Sequence, residues 1–554
     1  MAVKQSKIKQ ISLFIFPVVL IVISPWYSLD SINIPKFTAL VSYGFVGVFF
    51  IALNIKTAIS QLSIISKFSI ILFTLTLLIS FIFSETPVVQ QIYGVEGRNH
   101  GILTMLSLFV IYVIYELFSE QIKFSTINHL LTYGSLIFIC YLIVQTFGYD
   151  PIKWSTTNLV THSTLGNPNY VSSFLGLTFI PVFLTLRSKF LSQSLLLKTS
   201  LFFTIFIIYF YLINKTYSSQ GFMVIFVSLF TYLLVLIWKF RSKIELIIIS
   251  ICGMILVLVL LAGAVNRGVF SNLLYDGGTR SRGDFYRSAL TIIADHPFTG
   301  VGADGFGDYY LQYRDQIAAD RPNAEFTTSA HNYFLDLASN LGLLALLVYV
   351  VLLLFVFFKF LRYISNNNFN SFVVSLFTIW IGSNIQSLVS PNFFVFNILI
   401  FSISGLIVGR KSAPEYSESN IDSENKKNKF KLENFAISAG LVAASFVLVP
   451  IIQRDHALLL AYNGNSLQAV TDAVDKFPKS SISYSRTLKI LMQNNISVEA
   501  LDMARKAEKF NPRSYTPYFI YIVSPLTNPQ EKLKAFENLI KLDPNNLELR
   551  KLKP

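Results

Sequence analysis

Long apolar runs, separated by short polar turns, fill most of the first 409 positions of the chain, and one more begins near Phe435. A helix needs roughly 20 apolar residues to cross a bilayer. Runs of that kind begin near Ile11, Lys36, Ile64, Gly101, Asn128, Tyr170, Thr199, Gly221, Ile244, Leu341, Ser371, Phe393 and Phe435. The pattern therefore predicts about 12–13 membrane spans, the pair near Ser371 and Phe393 forming a tight hairpin around Ser390-Pro391-Asn392. Two stretches depart from it. Residues 266–340 are polar, rich in aromatics and punctuated by Arg and Gly. A loop that long is functional or disordered, and its aromatic content argues against disorder. From Asp455 onward the chain reads as soluble and helical. The expected fold is all-α: a polytopic membrane helical bundle with a long extracytoplasmic loop and a C-terminal helical solenoid. The expected divisions are an N-terminal transmembrane bundle (1–265), a catalytic loop (266–340), further transmembrane helices (341–409), a basic cytoplasmic linker (410–433), a last transmembrane helix (434–453) and a repeat domain (455–554).

Composition agrees with that division. Of 554 residues, 53% are hydrophobic and 14% charged, against roughly 25% charged in soluble domains. Net charge is +14, but its placement is more informative. With Lys4, Lys7 and Lys9 in the cytoplasm, the cytoplasmic loops hold Lys56, Lys67, Lys123, Arg187, Lys189, Lys198, Lys239, Arg241, Lys243, Lys359 and Arg362, while the opposite short loops hold Lys36, Arg98, Lys153 and Lys215. The asymmetry orients the chain in a plasma membrane with the long loop and the C-terminal tail outside. The first apolar run lacks a small-x-small cleavage site and contains Pro17 and Pro25, so it reads as an uncleaved helix rather than a signal peptide. Cys140 and Cys252 lie in apolar runs and read as small hydrophobes.

In the tail, Ala500, Ala504, Ala507 and Pro512 follow the spacing of the second helix of a tetratricopeptide repeat, and Pro478 and Pro544 mark units before and after it. Small residues let helices stack and proline ends each hairpin. Three degenerate units form a short solenoid that would bind a protein, position an acceptor, or cap the structure.

Several residues outside the spans can carry chemistry. His331-Asn332 precedes the run near Leu341, at the expected membrane boundary. A neutral imidazole there can take a proton from a hydroxyl; a loop histidine bonded to backbone is the plainer alternative. Arg280, Arg282 and Arg287 lie in one short run, and guanidinium suits phosphate oxygens. Arg282 and Tyr286 fall on one face of an amphipathic helix, which could equally lie against lipid headgroups. Gly300–Gly307 looks like a nucleotide-binding glycine loop, but no βαβ pattern surrounds it and a tight turn fits better. Arg98, His162, Asn167 and Asn169 are expected to face the same side, as is Lys215; for the Asn residues, helix caps are the simpler role. No zinc-ligand spacing, P-loop or paired-acid pattern appears. No cofactor, metal or nucleic-acid partner is expected.

Taken together these residues resemble the O-antigen ligase and O-antigen polymerase superfamily of bacterial envelopes. The pieces are R-x3-Y at Arg282–Tyr286, the run from Ala289 through Asp295-His296-Pro297 to Gly302, His331-Asn332 with Gly342, Gly94-x3-Arg98, and Gly166-Asn167-Pro168-Asn169. The resemblance spans roughly residues 91–409, and the tail is similar to its repeat-bearing branch. It implies a metal-independent, inverting transfer of a glycan from an undecaprenyl diphosphate carrier to a hydroxyl on a lipid, a glycan or a protein. It also implies that His331 activates the acceptor and that Arg282, with Arg280, holds the diphosphate, while Arg98, Lys215, Asn332, Tyr286 and Gln220 complete the substrate site. Many relatives place an Arg where this chain has Gln220 in Ser219-Gln220-Gly221; Lys215 or Arg98 would then supply the missing charge. The competing classes are a flippase or transporter, which predicts charges at mid-membrane, and a non-catalytic envelope scaffold displaying the repeats.

Overall fold

The computed structural model describes residues 6–154, 161–190, 194–241, 243–264, 277–321, 326–391, 393–410, 423–464 and 466–554. The start of the long loop, the turn residue Asn392 and linker residues 411–422 lie outside them. Every regular element among the described residues is a helix. One begins at or near each predicted start, from Lys7–Ile21 through Asn33–Leu53 and Ile64–Phe83 to Leu343–Asn366 and Ser423–Asn463. Eight are long and apolar enough to cross a membrane by length and composition, and Ile102–Leu117, Ser371–Gln386 and Phe394–Val408 are shorter apolar helices. The chain is a multi-pass membrane protein. Its lipid-facing side is plain on Ile64–Phe83, where Ile64, Phe68, Ile71, Leu75, Leu78 and Ile82 are exposed at alternating steps of four and three. That spacing draws one continuous apolar stripe along the helix.

The bundle interior is apolar with isolated polar clasps. Phe394–Val408 is buried along its whole length. Lys36 is fully buried at the start of Asn33–Leu53, and its ammonium donates to the carbonyls of Val19, Leu20 and Val22 at 2.6, 3.0 and 3.1 Å. These carbonyls end the helix Lys7–Ile21, where intrahelical partners run out.

The long loop is mostly helical rather than irregular. Gly277–Asp295 packs on Phe306–Tyr313 and on Tyr333–Leu341 around a small core of Phe285, Ala289, Ile292, Val301, Phe306 and Tyr310. The helix expected near Leu341 begins at Leu343, and a separate short helix, Tyr333–Leu341, precedes it across a break at Gly342. Gly342 has φ +86, and a Cβ there would lie 2.4 Å from the Phe298 carbonyl oxygen; this close approach requires glycine. The linker also differs from expectation. A single 41-residue helix, Ser423–Asn463, contains its second half, the last apolar run and the first residues of the tail. Beyond it, Leu467–Val474, Ser481–Gln493, Ser497–Phe510, Tyr515–Val523 and Pro529–Leu542 stack in sequence on their own core.

The tail is fastened to the loop. Arg314 and Asp543 form a buried two-bond ion pair, at 3.0 and 2.5 Å, with side chains 2% and 1% exposed. Arg513 lies 3.5 Å over the Tyr309 ring, and Asn511 donates to Asp308 at 2.9 Å.

Candidate active site

The site is assembled where the loop meets two turns of the bundle. The helix Val88–Tyr93 ends at Gly94, whose φ of +82 turns the chain sharply. A Cβ at Gly94 would lie 2.4 Å from the His100 backbone nitrogen. The turn is clasped from the glycine-rich run: Asp304, buried and at φ +55, accepts from the Val95 N–H at 2.7 Å and the His100 N–H at 3.3 Å. That run is a structural turn, as its sequence context suggests. Val301 and Gly302 donate to the carbonyls of Ser339 and Asn340, and Gly305 and Phe306 donate to the Asn340 side chain.

The turn presents Arg98, which donates to the Thr328 carbonyl at 2.5 Å. It stands 3.6 Å from Asp304 and 3.8 Å from Asp336, with 17% of its side chain exposed. Burial disfavours its charge, but the two carboxylates outweigh burial and hold it above the usual guanidinium range. Asp336 accepts from Ser329 Oγ and the Ala330 N–H, each at 2.7 Å, and Ser329 Oγ accepts from the His331 N–H at 2.9 Å. A continuous polar chain thus links Arg98 to the backbone of His331.

His331 sits at φ +54, a left-handed conformation uncommon for a non-glycine residue. Its ring stacks on Phe285 at 5.3 Å. Burial, then the charges of Arg98 and Arg282, push the imidazole down to about 4, so it is neutral at physiological pH and can accept a proton. Arg282 acts on His331 and on Tyr286, and its Nε is buried without a hydrogen-bond partner among the described residues. Tyr286 donates to the Leu388 carbonyl at 2.8 Å, tying the loop helix to the hairpin after Ser371–Gln386.

A cavity of about 400 Å³ opens at this point. Arg98, His100, Trp154, Tyr170, His331 and Phe393 form much of its wall. Tyr170 and Phe393 stack at 4.8 Å. Burial, then Arg98, also lowers His100 to about 4. One guanidinium, two neutral imidazoles and an aromatic wall suit an anionic head joined to a sugar, and the one carboxylate among the described residues of the lining, Asp30, is engaged by the Asn33 backbone and side chain.

The other expected residues are placed differently. Asn332 is the N-cap of Tyr333–Leu341, accepting from Phe334 and Leu335 at 3.0 and 3.2 Å. Arg280 is exposed on Gly277–Asp295. Arg287 pairs with Asp284 and Asp315. Lys215 is exposed with its ammonium 5.5 Å from the Tyr211 ring, and does not line the cavity. Gln220 opens Gln220–Phe240, buried against Pro168–Phe190, where it accepts from Ser173 Oγ at 3.3 Å; its Nε2 has no partner among the described residues. His162, Asn167 and Asn169 gather near the same end; Asn167 caps Asn169 at 2.8 Å, and Asn167 lines the cavity. Sequence reasoning missed Asp304 and Asp336, which orient Arg98, and Trp154. For the carboxylates the available signal was their position: Asp304 within the glycine run, and Asp336 five residues after His331.

A family model described as O-Antigen ligase matches residues 204–350. The match spans Gln220, Arg282 and His331 and leaves Arg98 outside. No curated protein matches the chain.

Proposed function

We propose that this chain moves a glycan from an undecaprenyl diphosphate carrier to an acceptor hydroxyl on the outer face of the plasma membrane, a reading supported by the match of residues 204–350 to the O-antigen ligase family model. The observation that carries this reading is His331 and Arg98 lining one cavity, with Arg282 outside that lining but near enough for its charge to act on the His331 imidazole. The acceptor oxygen attacks the anomeric carbon. The bond from that carbon to the diphosphate oxygen breaks, and the carrier leaves with the electron pair. The hydroxyl proton passes to the His331 imidazole. Arg98 and Arg282, assisted by Arg280, stabilise the charge that develops on the leaving diphosphate. Arg98 supplies the cation that Gln220 does not. Asn332 and Tyr286 act as positioning residues, holding the His331 loop against the hairpin, and residues 455–554 act as a solenoid outside the membrane.

Donor binding also tunes the base. The diphosphate would offset both guanidiniums, and the His331 imidazole would become more basic when the donor is bound. The test is release of undecaprenyl diphosphate from a purified lipid-embedded enzyme given its carrier-linked glycan. Release that requires an acceptor and disappears in His331→Ala and Arg282→Ala is expected. Release unaffected in both folded variants would overturn the assignment. The long-range charge pattern supports a catalyst over a flippase, because ionisable groups concentrate at this rim rather than at mid-membrane.

A further inference from the structure

A second and larger cavity, about 890 Å³, lies between the tail and the loop. One wall is Ser481–Gln493 and the start of Tyr515–Val523; the other is the Gln90–Glu96 turn, Phe306–Tyr313 and the segment around Thr328. Thr328 lines both cavities, and its carbonyl holds Arg98. Thr328 therefore stands between the two spaces, next to Arg98.

The chemistry of the tail wall is specific. Lys479, Arg486 and Lys489 bring three cations to the cleft. Lys489 is exposed and makes no ion pair among the described residues. The closest carboxylate contacts of Arg486 and Lys479 are 3.9 Å. Between them runs a row of hydroxyls, with Ser485 and Thr516 bonded to each other at 3.1 Å and keeping further hydrogen-bonding capacity. Tyr515 and Phe519 stand one turn apart with rings 6.3 Å apart and nearly parallel, a flat apolar ladder beside the cations and hydroxyls. The three carboxylates among the described residues that line the cleft are already engaged: Glu96 by Arg454 at 3.1 Å and Ser483 at 2.5 Å, Asp308 by Asn511 at 2.9 Å, and Asp543 by Arg314.

We propose that this cleft holds the acceptor, and that the acceptor is an anionic glycan strand whose terminal hydroxyl is threaded past Thr328 to His331. The hydroxyl row meets a polyol, the aromatic ladder meets the C–H faces of sugar rings, and the three cations meet uronate or phosphate substituents. A peptide is the poorer fit. Extended peptides bind at sheet edges through main-chain hydrogen bonds, and no strand occurs among the described residues. An amphipathic helix docks on an apolar groove, whereas Lys479, Arg486 and Lys489 set three cations among the apolar residues of this cleft.

The assignment rests on the transferase reading, so the experiment separates the two. Binding of a short polygalacturonate oligomer to the full-length protein in lipid nanodiscs is measured beside a neutral malto-oligomer and a poly-glutamate peptide, for wild type, Lys489→Glu and Phe519→Ala. Expected are tightest binding of the polygalacturonate, at least a tenfold loss in Lys489→Glu, a smaller loss in Phe519→Ala, and an unchanged thermal midpoint in Lys489→Glu. In turnover, Lys489→Glu raises the acceptor KM and spares kcat. Equal binding in wild type and Lys489→Glu overturns the proposal, as does preference for the peptide. If carrier release is absent while Lys489-dependent binding persists, the transferase reading fails and the cleft stands as an anionic-glycan site. If release depends on His331 but not on Lys489, the cleft assignment fails alone.

Discussion

His331 combines a strained backbone, an aromatic stack and a depressed imidazole. A left-handed non-glycine residue costs on the order of 1–3 kcal/mol and persists where its surroundings over-determine it; here the Ser329 hydroxyl and Phe285 do so. His331→Ala should lower kcat by roughly 10²–10⁴-fold, read by carrier release, with donor affinity largely kept. The pH profile has a definite sign. A base whose folded value lies at about 4 stays neutral from alkaline pH down past 6, so kcat/KM should be flat there and fall only as pH drops through about 4. The acid limb of kcat should lie higher, because bound diphosphate offsets Arg98 and Arg282. An acid limb of kcat/KM at the ordinary histidine value would contradict the burial seen at this residue. At this scale the sequence was partly legible. His331, Arg282 and Arg98 stand out by residue chemistry and motif order, and His331 and Arg98 line one cavity. Asn332 proved a helix cap, since an Asn before an apolar helix satisfies orphan N–H groups whatever lies nearby. Lys215 points along its own helix to Tyr211, a direction that loop polarity does not encode.

Between residues and the whole chain stand the turns that carry the site. Asp304 organises one of them by accepting two backbone N–H groups from the Arg98 turn. Asp304→Asn can keep both backbone bonds on its carbonyl oxygen, since one carboxylate oxygen accepts both, but it sets an amide NH2 against the Arg98 guanidinium. It should cost about 1.5–3 kcal/mol, seen as a lower thermal midpoint, and should raise the donor KM as Arg98 loses its orientation. An unchanged midpoint with unchanged KM would show that the turn holds itself. Helix positions were legible because apolar runs of bilayer length have few other solutions. Helix ends were not. The break at Gly342 accompanies the close approach of the Pro297-Phe298 backbone, a tertiary contact with no local signature. The linker after Arg410 reads as polar and charged, yet from Ser423 it continues a helix whose packing lies further along.

Across the whole molecule, the tail and the loop act as one body through Arg314 and Asp543. Breaking a buried ion pair by removing one partner costs about 3–5 kcal/mol, whereas replacing both with apolar residues can be close to neutral. Asp543→Ala should therefore lower the thermal midpoint and expose the tail to protease. Arg314→Met combined with Asp543→Leu should recover most of the loss. Equal protease resistance in wild type and Asp543→Ala would show that Arg513 over Tyr309 and the Asn511 contact suffice. Neither partner of this pair could be matched from sequence, because 229 positions separate them. Lys36 has a consequence of another kind. Its ammonium finds all three of its acceptors on the end of the preceding helix, and in lipid neither the ammonium nor those carbonyls would have water to turn to. Lys7–Ile21 and Asn33–Leu53 are thereby buttoned together at one end, and the hairpin, rather than either helix alone, is the unit in which the ammonium and all three carbonyls are satisfied.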